Sequence, residues 1–384
     1  MQYPFRLIFC VLVIFSFSCQ TREKENSNTD YYLEWDQETL VCIANEGSYP
    51  RMRRLVDGSL LVVYENRRGD VVSKRSTDEG ASWSSPSIIY PCFDYVNETN
   101  GLACKVNIAN PEFIQLRNND ILFVCNLRPD KNEVFSFAIA IKRSTDNGKS
   151  WSDSQILYKA APRFIDGCWE PSFLLLPDGT LQIYFANEFP YQQSIDQEIS
   201  MIYSKDDGET WSKEPTRISF RKNFRDGMPV AVHDNTNIYV AIEDNAADQF
   251  KPYIVQSSIS DNWKEAVTAN SQNRYSALKN SLSDSVYAGA PYLIRTDNGF
   301  YILSYQTTEN RASNWELSTM EVVVSDTPSL FRNPTQPFNV PISKEAKWNS
   351  LTDLGNNTLA ALASTNFNSD KIGIWMIKGK IINN

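Results

Sequence analysis

Six segments of the chain share one pattern: an apolar stretch, a short polar turn, and a second apolar stretch. They occupy residues 55–65, 115–126, 175–186, 232–243, 294–305 and 352–364. Alternating apolar residues around Gly, Asp and Asn predict β-hairpins. The first apolar residue after each turn recurs at Leu60, Ile121, Leu181, Ile238, Phe300 and Leu359. A repeat of about sixty residues fits four strands, so the pattern predicts an all-β, six-bladed β-propeller of four-stranded antiparallel blades.

A second repeat, S-x-D-x-G-x-[ST]-W, occurs three times, at Ser76–Trp83, Ser144–Trp151 and Ser204–Trp211. Each residue type has a role in a tight turn, because Asp accepts backbone N–H bonds, Gly takes a positive φ and Trp packs on the blade. A calcium loop would need alternating carboxylates and a terminal Glu, which the box lacks. The box therefore predicts a structural turn between outer strands. It resembles the Asp-box of sialidases and related propellers.

The two ends of the chain complete the predicted architecture. Only about two strands follow Leu359, so an N-terminal strand around Thr39–Ala44 is expected to complete the sixth blade. The propeller is assigned to residues 32–384, with no internal domain boundary. Residues 1–18 resemble a signal peptide, with Arg6 before an apolar run, and Cys19 stands where a bacterial lipobox is cleaved. Residues 19–31 would then be a lipidated Cys and a polar tether; the alternative is an ordinary signal peptide with a coincidental Cys.

These features predict an exported lipoprotein of the outer membrane or cell surface, with the periplasmic face as the alternative. The membrane would be contacted only through the lipid. The net charge of −9 argues against nucleic acid as a partner, since phosphate neutralisation needs clustered Lys and Arg. It suits a neutral substrate better than an anionic one, and we expect a monomer.

The sequence gives little indication of a metal site, a nucleotide-binding site or a set of disulfide bonds. The single histidine, His233, lies in a turn, so neither a Ser-His-Asp triad nor a His-rich metal site is predicted. The absence of a nucleotide-binding motif leads us to predict no cofactor. Five cysteines follow Cys19 without a C-x-x-C pair, which indicates no disulfide framework, although Cys92 and Cys104 could bridge a loop.

Polar residues at the ends of the inner strands are the candidates for function, because these ends meet on one face near the propeller axis. Five residues beyond the aligned apolar position stand Glu65, Asn126, Ala186, Glu243, Tyr305 and Ser364. The strand starts offer Arg51, Glu112, Glu170, Asp226 with Met228, Tyr292 and Trp348. Glu170 and Glu243 belong to adjacent blades and should share one funnel. Paired carboxylates are what glycoside hydrolysis requires; the alternative is that each Glu pairs with a nearby Arg.

The segment Tyr49–Met52 resembles the start of sialidases, where the first Arg of a triad binds the carboxylate of sialic acid; Arg51 would hold that place. The third blade also resembles theirs, but Asn187 and Glu188 stand where a second triad Arg belongs. A carboxylated sugar would be repelled there.

The chain is more similar to the family 93 glycoside hydrolases, six-bladed propellers that release arabinobiose from arabinan. Segments 49–52, 169–171, 226–229 and 241–244 carry this resemblance. It implies retaining chemistry, with Glu170 as acid/base and Glu243 as nucleophile, or the reverse. It also implies an active-site tyrosine, Tyr305 or alternatively Tyr292. Substrate contacts are expected from Arg51, Trp169, Asp226, Asn187 and Tyr292.

The expected function is therefore an exo-acting, retaining glycoside hydrolase acting on a neutral glycan, with α-1,5-arabinan as the expected substrate. The alternatives are an exo-α-sialidase and a non-catalytic surface propeller that binds glycans.

Overall fold

A computed structural model describes residues 31–383, and the fold is the predicted six-bladed β-propeller. Each blade is an antiparallel sheet whose strands follow one another from the propeller axis outward. The predicted signal peptide, Cys19 and tether residues 20–30 lie outside the described residues. Within residues 31–383 we find no helix with the length and apolar character needed to span a bilayer.

The first three blades are consecutive in the chain. Blade one contains β2 Ser48–Arg54, β3 Leu60–Glu65, β4 Val71–Ser76 and β5 Ser87–Tyr90. Blade two contains β6 Phe93–Val96, β7 Ala103–Gln115, β8 Ile121–Pro129, β9 Ala138–Ser144 and β10 Gln155–Lys159. Blade three contains β11 Cys168–Leu175, β12 Leu181–Asn187, β13 Glu198–Ser204 and β14 Thr216–Ser219.

The last three blades close the ring. Blade four contains β15 Asp226–His233, β16 Asn237–Asp244, β17 Lys251–Ser258 and β18 Arg274–Ser276. Blade five contains β19 Ala288–Arg295, β20 Tyr301–Thr307, β21 Thr319–Ser325 and β22 Arg332–Thr335. Blade six contains β23 Ala346–Gly355, β24 Thr358–Thr365, β25 Gly373–Asn383 and the N-terminal β1 Tyr31–Ala44. Three short 3₁₀ turns cover Phe164–Asp166, Phe189–Tyr191 and Trp315–Leu317.

The predicted closure of the sixth blade is confirmed. Strand β1 pairs with β25 from Tyr31 opposite Asn383 to Ala44 opposite Ile374, so the closing strand is longer than expected. Its buried Ile43 packs with Met52 and Met376 between blades six and one. The two ends of the chain therefore hold the ring together.

Blade two departs from the predicted four strands. Strands β7 and β8 continue past the length seen in the other blades, and β6 pairs with the first residues of β7. The aromatic rings of Phe93 and Tyr95 on β6 contact Phe135, which covers this extension. The result is a raised wall on one side of the propeller.

The three Asp-boxes form the predicted structural turns. In the first, the Asp78 carboxylate accepts bonds from the backbone N–H and the hydroxyl of Ser82, which lower the pKa of Asp78 to about 2. Gly80 has a φ of 85°, and the Trp83 indole donates to its carbonyl oxygen at 3.1 Å. The cysteine bridge considered above does not form, since Cys92 and Cys104 are both free thiols.

Candidate active site

A backbone irregularity repeats at the same place in all six inner strands. In each, a β-bulge interrupts the pairing, and its first residue has a φ between 47° and 57°. These residues are Tyr49, Asn110, Glu170, Met228, Ala290 and Trp348. Proline follows in five blades and Asn349 in the sixth. Because a bulge re-aims a side chain, this device places one residue of every blade at the same level around the axis.

The bulge amides are bound by side chains from the preceding blade. The Ala290 N–H donates to Glu243 Oε2 at 2.8 Å, and the Asn110 N–H donates to Glu65 Oε1 at 2.7 Å. Blade three has Ala186 at the register position that Glu243 holds in blade four, so it offers no acceptor. The Met228 N–H is instead bound by Glu170 Oε2 at 3.1 Å. This bond ties the Glu170 carboxylate to blade four.

A pocket of about 550 Å³ opens at the level of these bulges. Glu170 and Glu243 both line it, as the sequence predicts, and both lie against the segment Gly227–Met228. A Cβ on Gly227 would stand 3.0 Å from Glu243 Oε1, so glycine permits this close approach. The remaining walls are largely aromatic or cationic and include Trp169, Trp315, Trp348, Arg128 and Arg225.

The two glutamates differ in their electrostatics. Burial and the charge of Glu243 raise the pKa of Glu170 to about 8, against the opposing effects of the Met228 amide and Arg225. Burial also raises the pKa of Glu243, against the Ala290 amide and Arg225. Since two nearby carboxylates do not ionise together easily, Glu243 ionises first and Glu170 keeps its proton near neutral pH. The pair thus holds one acid and one carboxylate.

A tyrosine does lie beside Glu243, but it is Tyr287. The Tyr287 hydroxyl and Glu243 Oε2 both lie next to Gly289. A Cβ at this position would stand only 2.4 Å from the hydroxyl and 2.7 Å from Oε2. Gln306 Nε2 donates to the Tyr287 oxygen at 2.9 Å, and Gln306 Oε1 accepts the Trp348 N–H. Because its oxygen accepts from Gln306, the Tyr287 hydroxyl is free to direct its own proton toward Glu243.

Tyr305 does not line the pocket, because the register of the fifth hairpin differs from the one expected from the sequence. Phe300 is apolar but still belongs to the turn; strand β20 begins at Tyr301. The expected alignment of the fifth hairpin is therefore wrong by one residue, which sends Tyr305 to the other face of the sheet. There it is buried and donates to Glu321 Oε2 at 3.0 Å. Gln306 takes the inner position.

Arg51 and Tyr292 lie beyond the bulges, away from the pocket of the two glutamates. Arg51 is buried, with its Nε 3.5 Å from Glu112 Oε2, and Tyr292 donates to the same oxygen at 3.1 Å. Tyr292 and Glu112 line a second cavity of about 550 Å³, formed by the later residues of the inner strands. Arg51 is thus paired with a carboxylate of the protein itself.

Asp226 and Asn187 are also placed in the interior. Asp226 forms ion pairs with Arg274 and lies opposite Asp244, which binds the same arginine. Asn187 donates to the hydroxyls of Tyr158 and Ser200, each at 3.0 Å. Of the predicted substrate-binding residues, only Trp169 lines the pocket. Among residues 31–383, no group of three or more His, Cys, Asp and Glu side chains is arranged to hold a metal ion.

Several pocket residues were missed from the sequence. Arg128 and Tyr287 stand outside the aligned hairpin positions, on the blade-two extension and just before β19. The bulge itself had a signal, because a residue followed by proline recurs at each inner strand of blades one to five.

Comparison with solved structures agrees with the propeller fold. The chain resembles a variant of an α-L-arabinofuranosidase of Fusarium graminearum solved with an iminosugar inhibitor (TM-score 0.66, 16% identity, 89% of this chain and 97% of that one). It also resembles an α-L-arabinanase of Penicillium chrysogenum complexed with arabinobiose (0.63, 17%, 89% and 98%) and a sialidase of Streptococcus pneumoniae (0.60, 12%, 90% and 70%). The chain has the sialidase-type propeller fold. By sequence, no family model and no curated protein matches this propeller.

Proposed function

We propose that this propeller is an exo-acting, retaining glycoside hydrolase and that its substrate is α-1,5-arabinan, from which it releases arabinobiose. The observation that carries the proposal is the pair of Glu170 and Glu243 in one pocket, with the pKa of Glu170 raised to about 8 so that this group can serve as the acid. Two such carboxyl groups are what glycosidic cleavage needs. The aromatic walls suit the apolar faces of sugar rings.

In the proposed reaction, a Glu243 oxygen attacks the anomeric carbon as the bond to the leaving oxygen breaks. Glu170 gives its proton to that oxygen, and the leaving sugar departs. Glu170, now ionised, takes a proton from water, whose oxygen attacks the same carbon and frees Glu243. The Ala290 amide, and Tyr287 through its hydroxyl, would hold Glu243 during both steps.

The likeness to the two arabinan-type enzymes supports the choice of sugar, and the pocket supports a neutral one. A sialidase binds the substrate carboxylate with a triad of arginines, whereas Arg51, at the place of the first one, is paired with Glu112 and does not line the pocket. Glu188, at the place of a second triad arginine, lines the pocket and pairs with Arg225.

The test is incubation of the purified protein with linear α-1,5-arabinan, with product analysis by chromatography and NMR of the first-formed anomer. We expect arabinobiose of retained configuration, a loss of about 10²–10⁴-fold in kcat for Glu170→Gln, and no detectable turnover for Glu243→Gln. Glu65→Gln is the matched control, since Glu65 holds the register position of Glu243 in blade one but does not line the pocket. Cleavage of an aryl sialoside, or glycan binding without turnover, would contradict the proposal.

A further inference from the structure

Arg128 is presented to the pocket by the raised wall of blade two. It stands opposite Asn107 in the part of β7 and β8 that extends beyond the bulge, and β6 covers that extension. Its side chain is exposed, in a strand that is otherwise buried. Paired strands hold their side chains with little freedom, so the direction of Arg128 is set in advance.

The guanidinium of Arg128 forms no close ion pair, although its charge acts from a distance against the burial that raises the pKa values of Glu170 and Glu65. Among residues 31–383, no carboxylate oxygen lies within 4 Å of it and no hydrogen-bond acceptor is bound to it. Its contacts are the rings of Trp169 and Phe164, at 5.4 and 5.8 Å from its central carbon. Arg225, the other arginine of the pocket, is occupied by Glu188 and Gln197. Of the two arginines that line the pocket, Arg128 is therefore the one whose N–H donors are available to a ligand.

The neighbours of Arg128 indicate which part of a substrate it meets. Trp169, under its guanidinium, immediately precedes Glu170, whereas Tyr287 lies beside Glu243. A general acid stands beside the leaving group, so the wall formed by Arg128, Phe164 and Trp169 faces the leaving sugar.

We propose that Arg128 is a specificity-determining residue that can bind a carboxylate on the leaving-group side of the glycan, so that arabinobiose is released from neutral arabinan and is released faster where the leaving sugar is acidic. This inference rests on the proposed function, which assigns the acid to Glu170. A planar guanidinium stacked on aromatic rings keeps its edge donors for a carboxylate. The two carboxylates on which the Arg128 charge acts already have other donors: Glu65 accepts from the Asn110 amide and Ser48, and Glu170 accepts from the Met228 amide.

The test uses two forms of arabinotriose that differ only at the reducing end. One is oxidised to the aldonate, which places a carboxylate on the leaving sugar, and the other is reduced to the neutral alditol. We expect kcat/KM to be roughly fivefold to tenfold higher for the aldonate, as a partly exposed charged hydrogen bond would give. The preference should shrink to about one in Arg128→Gln and weaken as salt is added.

Arg117→Gln is the matched control, because Arg117 lies at the opposite end of the same hairpin and contacts Pro177. It should keep the preference of the wild type. Equal rates for the two substrates in the wild type, or an undiminished preference in Arg128→Gln, would overturn the inference while leaving the hydrolase proposal intact.

If neither substrate is cleaved, the hydrolase proposal fails and calorimetric binding decides the inference separately. Tighter binding of the aldonate that is lost in Arg128→Gln supports the anion site. Equal binding, or none, rejects it.

Discussion

Glu170 and Glu243 are identical side chains in one pocket, and their different surroundings give them different charges. Each accepts one backbone amide, but Glu170 also experiences the negative charge of Glu243. The proposed mechanism requires Glu170 protonated and Glu243 ionised. The plot of kcat/KM against pH should therefore be bell-shaped.

We expect kcat/KM to fall as the pH rises through about 8, because Glu170 then loses the proton that the leaving group needs. It should fall again in acid, at a pH above the usual range of a glutamate, because the pKa of Glu243 is raised. Glu170→Gln, assayed on an aryl arabinobioside whose leaving group needs no protonation, should lose only the alkaline limb. An alkaline limb that persists in this variant would assign it to another group.

Gly289 supplies a second prediction at the residue scale. In Gly289→Ala the new Cβ would collide with the Tyr287 hydroxyl and with Glu243 Oε2, so both must move. A displacement of about 1 Å can cost 10²-fold in rate, and we expect kcat to fall about 10–100-fold. Steady-state kinetics, with urea unfolding to monitor stability, would measure this. Ala109→Gly, the corresponding position of blade two, is the control and should keep most activity; full activity of Gly289→Ala would contradict the assignment.

The sequence predicted the two glutamates and Trp169 because strand ends of adjacent hairpins converge on the axis. The bulges, which decide whether a residue faces the pocket, were not predicted, although a residue followed by proline marks five of them. Arg51 and Tyr292, two residues beyond their bulge residues, therefore fall on the far side. The placement of Tyr305 was wrong because the apolar Phe300 was taken as the first strand residue, although it belongs to the turn and the strand begins at Tyr301.

At the scale of the element, strand β1 closes the ring of blades by pairing with β25. The spacing of the hairpins was sufficient to predict this closure. Too few strands follow Leu359 to complete a four-stranded sixth blade, so a strand from the N-terminal part of the chain had to supply the missing one. The extra strand β6 was not predictable in this way, because residues 93–96 lie between two repeats and pair only with an extension of β7.

We expect Ile43→Ala to destabilise the protein by about 2–4 kcal/mol, because Ile43 is buried between blades six and one. Ile342→Ala, at an exposed isoleucine, should change the free energy of unfolding by less than about 0.5 kcal/mol. Urea unfolding followed by tryptophan fluorescence would measure both. An equal effect of the two substitutions would show that β1 contributes little to closure.

At the scale of the whole molecule, the predicted lipid anchor can be tested directly. We propose that Cys19 carries a lipid, which residues 20–30 would connect to β1. Cys19→Ala should abolish incorporation of a labelled fatty acid and move the protein from the detergent phase to the aqueous phase. Cys10→Ala, in the apolar run of the leader, is the matched control and should still be labelled. Unchanged labelling of Cys19→Ala would reject the anchor.

The six equivalent bulges make the rim of the pocket modular. One backbone conformation is repeated around the ring, while its side chain varies from tyrosine to asparagine, glutamate, methionine, alanine and tryptophan. Three of these side chains, Asn110, Glu170 and Trp348, line the pocket, whereas Tyr49, Met228 and Ala290 pack against one another. Exchanges at Asn110 or Trp348 would therefore vary what the pocket presents to a glycan, while the two glutamates and the backbone that carries them stay in place.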